Sequence, residues 1–157
     1  MNKVNPADDA LEQDRFAIIS TQWNPTVVNA LVDGAEQVLL RRGVRPQNIE
    51  HYVVPGAFEI PVLAEALARR GAYAGLIALG AVIKGETAHF EYVAGECARG
   101  IAEIARVHQI PVGFGVLATY TLQQALDRAG PNAENKGVEA ASAVLDLLQV
   151  MRARHGG

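Results

Sequence analysis

The sequence predicts an α/β domain in three layers: a four-stranded parallel sheet with helices on both faces. Short apolar runs rich in strand formers alternate with helix-spaced apolar stripes four times along the chain, and one more helical stripe follows. The third run, GLIALGAVI at 75–83, is apolar without alternation, as expected of a parallel strand covered on both sides. The length of 157 residues suits one domain, with no internal repeat or low-complexity tract.

The elements follow in order. Residues 1–14 are polar and acidic and are read as a flexible arm, with a single domain over 15–157. The run RFAIIST at 15–21 predicts the first strand. Asn24-Pro25 then starts a helix, because proline at the first helical position gives up no needed donor. Val27, Val28, Leu31, Ala35, Val38 and Leu39 form its stripe, and RRG at 41–43 ends it. A strand over 49–54 closes at Pro55-Gly56. The spacing predicts a helix over 59–70, with Ile60, Leu63, Ala64 and Leu67 inward and Gly71 past its end. After the strand over 75–83 comes a long helix over 89–108, with Val93, Cys97, Ile101, Ile104 and Ala105 facing inward. A fourth strand is expected over 111–118. Thr121 with Gln124 fits a capping box opening a helix that runs to Gly130. PNAEN at 131–135 reads as a linker and 136–154 as the last helix, followed by a polar tail.

Composition excludes several classes. Half the residues are hydrophobic and a fifth charged, so a packed core is expected. Fourteen basic residues face seventeen acidic ones, which gives no electrostatic reason to expect nucleic acid or an anionic membrane as partner. The single cysteine, Cys97, excludes an internal disulfide and a cysteine-built metal site, and on its apolar helix face it reads as a small core residue. No apolar run is long enough to span a bilayer and the first residues lack an apolar signal core. A cytoplasmic location is the default expectation.

In open α/β sheets ligands bind beyond the carboxyl ends of the strands. Those ends carry Trp23-Asn24 after the first strand, PGAFE (55–59) after the second and KGETAH (84–89) after the third. KGETAH feeds a helix N-terminus, where free backbone N–H groups attract anions. Gly85 permits close backbone approach and Thr87 offers a hydroxyl; the competing reading is that Thr87 simply caps the helix. Gly80 and Gly85 have Walker A spacing, but Glu86 stands where that motif needs lysine, and nucleotide hydrolysis is rejected. His89 reads as a general acid or base, or as a helix-start histidine bonded to a neighbour. Its i+4 neighbour is Val93, so no metal-binding pair arises. Trp23, the one tryptophan, lies among turn residues and offers a flat face to an aromatic ring, against the usual alternative of core packing. Glu59 either accepts from ligand hydroxyls or favours its helix start through the dipole. Arg128 either grips phosphate or compensates a helix C-terminus.

Four motifs then converge. VPGAFEIP (54–61), ALGAVIKGETAHFEYV (78–93), IPVGFGVL (110–117), and QALDRAG followed by NKGVEAA (124–141) resemble the lumazine synthase family of riboflavin biosynthesis over nearly the whole chain. The resemblance implies a flavodoxin-like fold and a transferase that joins 5-amino-6-(D-ribitylamino)uracil to 3,4-dihydroxy-2-butanone 4-phosphate. No metal or organic cofactor takes part. It implies a homopentamer with active sites between neighbouring subunits. By position it implies Trp23 stacking on the pyrimidine and Ala57, Phe58 and Glu59 on the ribityl chain. Ala81, Val82 and Ile83 would line the pyrimidine through backbone contacts. Backbone N–H groups of Glu86 and Thr87 would hold phosphate, with the Glu86 carboxylate turned away. His89 would shuttle protons. Phe114 and Arg128 would enter from the adjacent subunit, with Lys136 as a further polar contact.

The chain departs from the family pattern in three places. Trp23 stands where phenylalanine is more frequent, Tyr120 where an acid or small polar residue is, and GPNAENKG replaces a Gly-Thr-Lys-Ala-Gly linker. The last change leaves pentamer, pentamer pair and sixty-subunit shell open. The rival reading is a flavin-binding or storage protein on the same fold. Such a chain would be expected to have lost His89 or Arg128, and both are present. An unrelated flavodoxin-like interaction module would need no phosphate loop.

Overall fold

The computed structural model describes residues 1–7, 10–131 and 134–155, the side chains of 154 and 155 excepted. Along the chain run β1 (Phe16–Thr21), α1 (Pro25–Arg41), β2 (Ile49–Val54), α2 (Ile60–Arg70), β3 (Gly75–Ile83), α3 (His89–His108), β4 (Val112–Thr119), α4 (Leu122–Asp127) and α5 (Lys136–His155). The strands form one parallel sheet in the order β2-β1-β3-β4. This is the doubly wound arrangement expected from the alternation of strands and helices, and its order reverses between β1 and β3. Asp8 and Asp9 of the arm, Asn132 and Ala133 of the expected linker, and 156–157 of the tail lie outside the described residues.

Alternate residues of each central strand serve opposite faces. Phe16, Ile18, Ile77 and Leu79 pack with α1, α4 and α5, while Ala17, Ile19, Leu76 and Ala78 pack with α2 and α3. Both sets are buried, which is why these strands show no polar alternation. The helix stripes supply the outer layers: Leu31, Ala35 and Leu39 from α1 and Ala141, Val144 and Leu145 from α5 on one side, Ile60, Ala64 and Leu67 from α2 with Cys97, Ile101 and Ile104 from α3 on the other.

Several boundaries differ from expectation for local reasons. A 3-10 turn at Ala57–Glu59 precedes α2, so the α-helix itself begins at Ile60. The fourth strand runs one residue later than its pattern suggests, pairing as far as Ile83 with Thr119. The short α4 ends at Asp127 rather than at Gly130. Its start is nearly the expected capping box: Thr121 Oγ1 accepts from the Gln124 N–H at 3.1 Å, but Gln124 Oε1 accepts from Tyr120 N–H at 2.8 Å rather than from Thr121. Ahead of β1 the described residues form no helix or strand; Leu11 is buried and Asp14 accepts two hydrogen bonds from Arg152 of α5, at 2.8 and 2.6 Å.

Asn135 fixes where α5 begins. Its Oδ1 accepts from the N–H groups of Gly137 and Val138 at 2.7 and 3.2 Å, capping the helix. Its Nδ2 reaches the carbonyls of Ala30, Ala129 and Gly130 at 3.1, 3.2 and 3.0 Å, tying α5 to α1 and to the end of α4. Gly34 makes room for it, since a Cβ there would lie 2.6 Å from the Asn135 oxygen. A Cβ on Gly137 would collide with the Leu31 carbonyl.

Candidate active site

The carboxyl ends of the strands are held by hydrogen bonds that extend the sheet one residue further. Gln22 N–H donates to Val54 O at 3.1 Å and Lys84 N–H to Thr119 O at 2.9 Å. The residues just beyond, Trp23 and Gly85, are therefore launched from a rigid edge. Asn24 adopts a left-handed conformation with φ 56 and does not cap α1 with its side chain. Its Nδ2 instead donates to Ala81 O at 3.3 Å, bridging from β1 to β3. Asparagine tolerates this conformation better than most residues, so the Asn24-Pro25 helix start also serves as a cross-strand tie.

Between these ends lies a crevice of about 610 Å³. It falls at the reversal between β1 and β3, where open α/β sheets place ligands. Thr21, Trp23 and Asn24 line it from β1, and Pro55 to Glu59 from the loop after β2. Ala81, Val82 and Ile83 form its wall from β3. Gly85 and Thr87 come from the next loop, with His89, Phe90, Tyr92 and Val93 from the first turns of α3. The Trp23 indole is 70% exposed, so it is not a core residue. Gly56 lies against both Trp23 and Glu59; a Cβ there would sit 3.4 Å from the Glu59 carboxylate and 3.6 Å from the indole.

The loop from Gly85 to Ala88 is exposed and opens a helix of twenty residues. Its four backbone N–H groups make no hydrogen bond among the described residues. Thr87 does not take the capping position, which is Ala88; its Oγ1 accepts from His89 N–H at a long 3.4 Å. This leaves a row of unused donors at the positive end of a long helix dipole, which suits an anion. Lys84, with no carboxylate partner among the described residues, holds its ammonium 5.6 Å from the centroid of the Tyr120 ring. Behind the crevice, burial pushes the Cys97 thiol up to about 12, which makes it an inert core group.

The structure brings together Trp23, Ala57, Phe58, Glu59, Ala81, Val82, Ile83, Thr87 and His89 on one cavity. Glu86 stands in the loop, but its side chain is not among the lining groups. Phe114, in edge strand β4, and Arg128, after α4, also lie outside. Arg128 Nη1 donates to Gln124 O at 2.9 Å, and Lys136 pairs with Glu139 at 2.9 Å. Sequence reasoning missed Thr21, Phe90, Tyr92 and Val93. The available signal was position: F-x-Y-V occupies the first turns of a helix that starts at the loaded edge of the sheet.

The strand order and the crevice at its reversal define a flavodoxin-like α/β protein with a small-molecule site. A family model described as 6,7-dimethyl-8-ribityllumazine synthase matches residues 13–152. A protein of that name from Nitratidesulfovibrio vulgaris is 50% identical, over 87% of this chain and 88% of its own. Its namesakes from Deinococcus deserti and Deinococcus radiodurans are 48% and 44% identical, each over 88% of this chain and over 88% and 89% of theirs. The chain belongs to the 6,7-dimethyl-8-ribityllumazine synthase family.

Proposed function

We propose that this chain is a transferase of riboflavin biosynthesis. It condenses 5-amino-6-(D-ribitylamino)uracil with 3,4-dihydroxy-2-butanone 4-phosphate to give 6,7-dimethyl-8-ribityllumazine, phosphate and water. The observation that carries the reading is one crevice, in a chain of this family, that joins a flat aromatic face, a carboxylate and a row of unused amide donors. These are the groups needed to hold a planar ring, a polyol and a phosphate ester.

In this reading Trp23 stacks on the pyrimidine and the Ala81 to Ile83 backbone borders it. Glu59 accepts from the ribityl hydroxyls beside Ala57 and Phe58. The Glu86 and Thr87 amides, with their neighbours in the loop, bind the phosphate. The uracil amine attacks the ketone to form an imine with loss of water. Phosphate then leaves as its C–O bond breaks, and a second condensation closes the ring. Each step moves a proton, and His89 at the crevice wall is the group to carry it. No protein nucleophile is required. Orientation of two bound substrates supplies up to about 7–11 kcal/mol of the lowered barrier.

Phe114 and Arg128 complete the site from a neighbouring subunit. Two patches support a head-to-tail assembly: exposed Phe58, Val62 and Tyr92 at and beside the crevice, and exposed Phe114, Leu122 and Leu126 toward the β4 edge. A ring that brings one patch onto the other buries both, and a homopentamer is such a ring. The single domain over 15–157, its arm at 1–14 and a cytoplasmic location belong to the same reading. Among the described residues no helix is long and apolar enough to cross a membrane.

The test is direct. The purified protein is mixed with both substrates and lumazine absorbance is followed, with the mass of the native particle measured in parallel. Turnover by a particle of five chains, or a multiple of five, is expected. Absence of lumazine formation with both substrates present overturns the reaction, and an active monomer overturns the shared site.

A further inference from the structure

We infer that Tyr120 is a positioning residue for the anion loop, holding the residues on both flanks of Gly85 to Ala88 and thereby setting affinity for the phosphorylated substrate. The inference rests on the lumazine-forming reading and extends it to a residue that does not line the crevice.

The loop poses a mechanical problem. Its amides are free to meet an anion because they bond to nothing else among the described residues. A segment of four residues without internal hydrogen bonds has little to keep those donors convergent, and donors that must be ordered on binding give weaker binding. The segment is fixed only at its ends. At the near end Lys84 N–H is bonded to Thr119 O at 2.9 Å, the last rung before Tyr120. At the far end the chain enters α3 at His89 and Phe90.

Tyr120 meets both ends. The Lys84 ammonium lies 5.6 Å from its ring centroid, within cation–π range. The Phe90 ring packs against it with centroids 6.3 Å apart and planes tilted by 37°. Phe90 also lines the crevice, so the Tyr120 contact bears on the wall as well as the loop. Tyr120 is itself held, since its N–H donates to Gln124 Oε1 at 2.8 Å at the capped start of α4. The Tyr120 hydroxyl has no hydrogen bond among the described residues, so the ring carries the effect. Lys84, drawn to that ring and with no carboxylate partner among the described residues, also keeps a positive charge beside the loop.

The experiment compares Tyr120→Ala, Tyr120→Leu and Tyr120→Phe with the parent enzyme in its native assembly. It measures KM for each substrate separately and the inhibition constant of inorganic phosphate against the phosphorylated substrate. Tyr120→Ala and Tyr120→Leu are expected to raise KM for the butanone phosphate and the phosphate inhibition constant together, by about three- to tenfold. KM for the ribitylaminouracil should not follow. Tyr120→Phe should recover most of the lost affinity, and Tyr120→Leu separates ring from bulk if the alanine variant assembles poorly. An unchanged phosphate inhibition constant, or a parallel rise of both KM values, overturns the inference. A parent protein that makes no lumazine instead overturns the reaction on which it rests.

Discussion

The helices over the α1, α4 and α5 face of the sheet are tied together by close backbone approach and by one buried amide, whereas the face under α2 and α3 is left open at the end that carries the crevice. On the first face Asn135 reaches three carbonyls and caps α5, and Gly34 and Gly137 leave no room for a side chain. On the second, Gly100 fits α3 tightly over Pro61 of α2, and a chain of polar side chains, Arg69 to Glu65 to His108, spans the two helices. Yet the first turns of these same helices expose Val62 and Tyr92, and the loops before them expose Phe58 and Thr87. The difference teaches that one layer secures the fold while the other presents the chemistry, so stability and turnover should respond to different substitutions.

The largest expected effect is on turnover. His89→Ala should lower kcat by about two to four orders of magnitude. It should leave the urea midpoint unchanged, because His89 is exposed and the described residues give its ring no partner. Turnover should remain measurable, since binding and orientation survive the substitution. Complete loss in a correctly assembled variant would reverse the ranking of orientation over proton transfer. The mirror experiment is Asn135→Ala, which removes the cap of α5 and three hydrogen bonds to carbonyls, and should cost about 3 kcal/mol of unfolding free energy. Activity per folded molecule should be retained at low temperature. A variant that keeps its stability but loses activity would show that the two layers are not separable.

Most of this division was legible in the sequence, and the residues that escaped show where pattern runs out. Hydrophobic spacing gave the strand and helix order because each element buries a continuous stripe, and strand 75–83 announced its two covered faces. The edge loops were found because the fold rule assigns them a place before any contact is known. Asn135 was not singled out, since a buried amide serving three carbonyls is a tertiary arrangement with no local period. Asn24 was read as part of a helix start, and its bond to Ala81 spans 57 positions. Thr21 was read as the end of an apolar run and as a turn residue beside Trp23 rather than core; it is instead a buried last residue of β1 that borders the crevice. Phe114 came only from family resemblance, and Arg128, a phosphate candidate by its own chemistry, was assigned to a neighbouring subunit only through that resemblance; among the described residues of one chain neither lines the crevice.

A smaller effect sharpens the comparison at the crevice mouth. Trp23→Phe keeps an aromatic face but reduces its area. Affinity for the lumazine product or for riboflavin should fall by a few-fold, on the order of the energy of a single aromatic contact. Fluorescence titration of both variants with riboflavin measures it. Equal affinities would mean that the larger ring contributes no additional stacking.

The smallest effect lies on the α2–α3 face away from the crevice and concerns pH. The hydrogen bond from Arg69, and after it that from His108, holds the Glu65 carboxyl below its ordinary value. A lowered carboxyl contributes stability that is present above its unfolded value of about 4.3 and is lost as pH falls through the folded one. Glu65→Gln should therefore be slightly less stable than the parent at neutral pH, with the gap between their urea midpoints closing as pH falls below about 4. Glu65 is partly exposed and its Arg69 partner largely so, so the gap should also shrink in high salt. A gap that persists unchanged into acid would assign the α2–α3 link to packing, of the kind seen between Gly100 and Pro61, and would make the two faces more alike in what secures them.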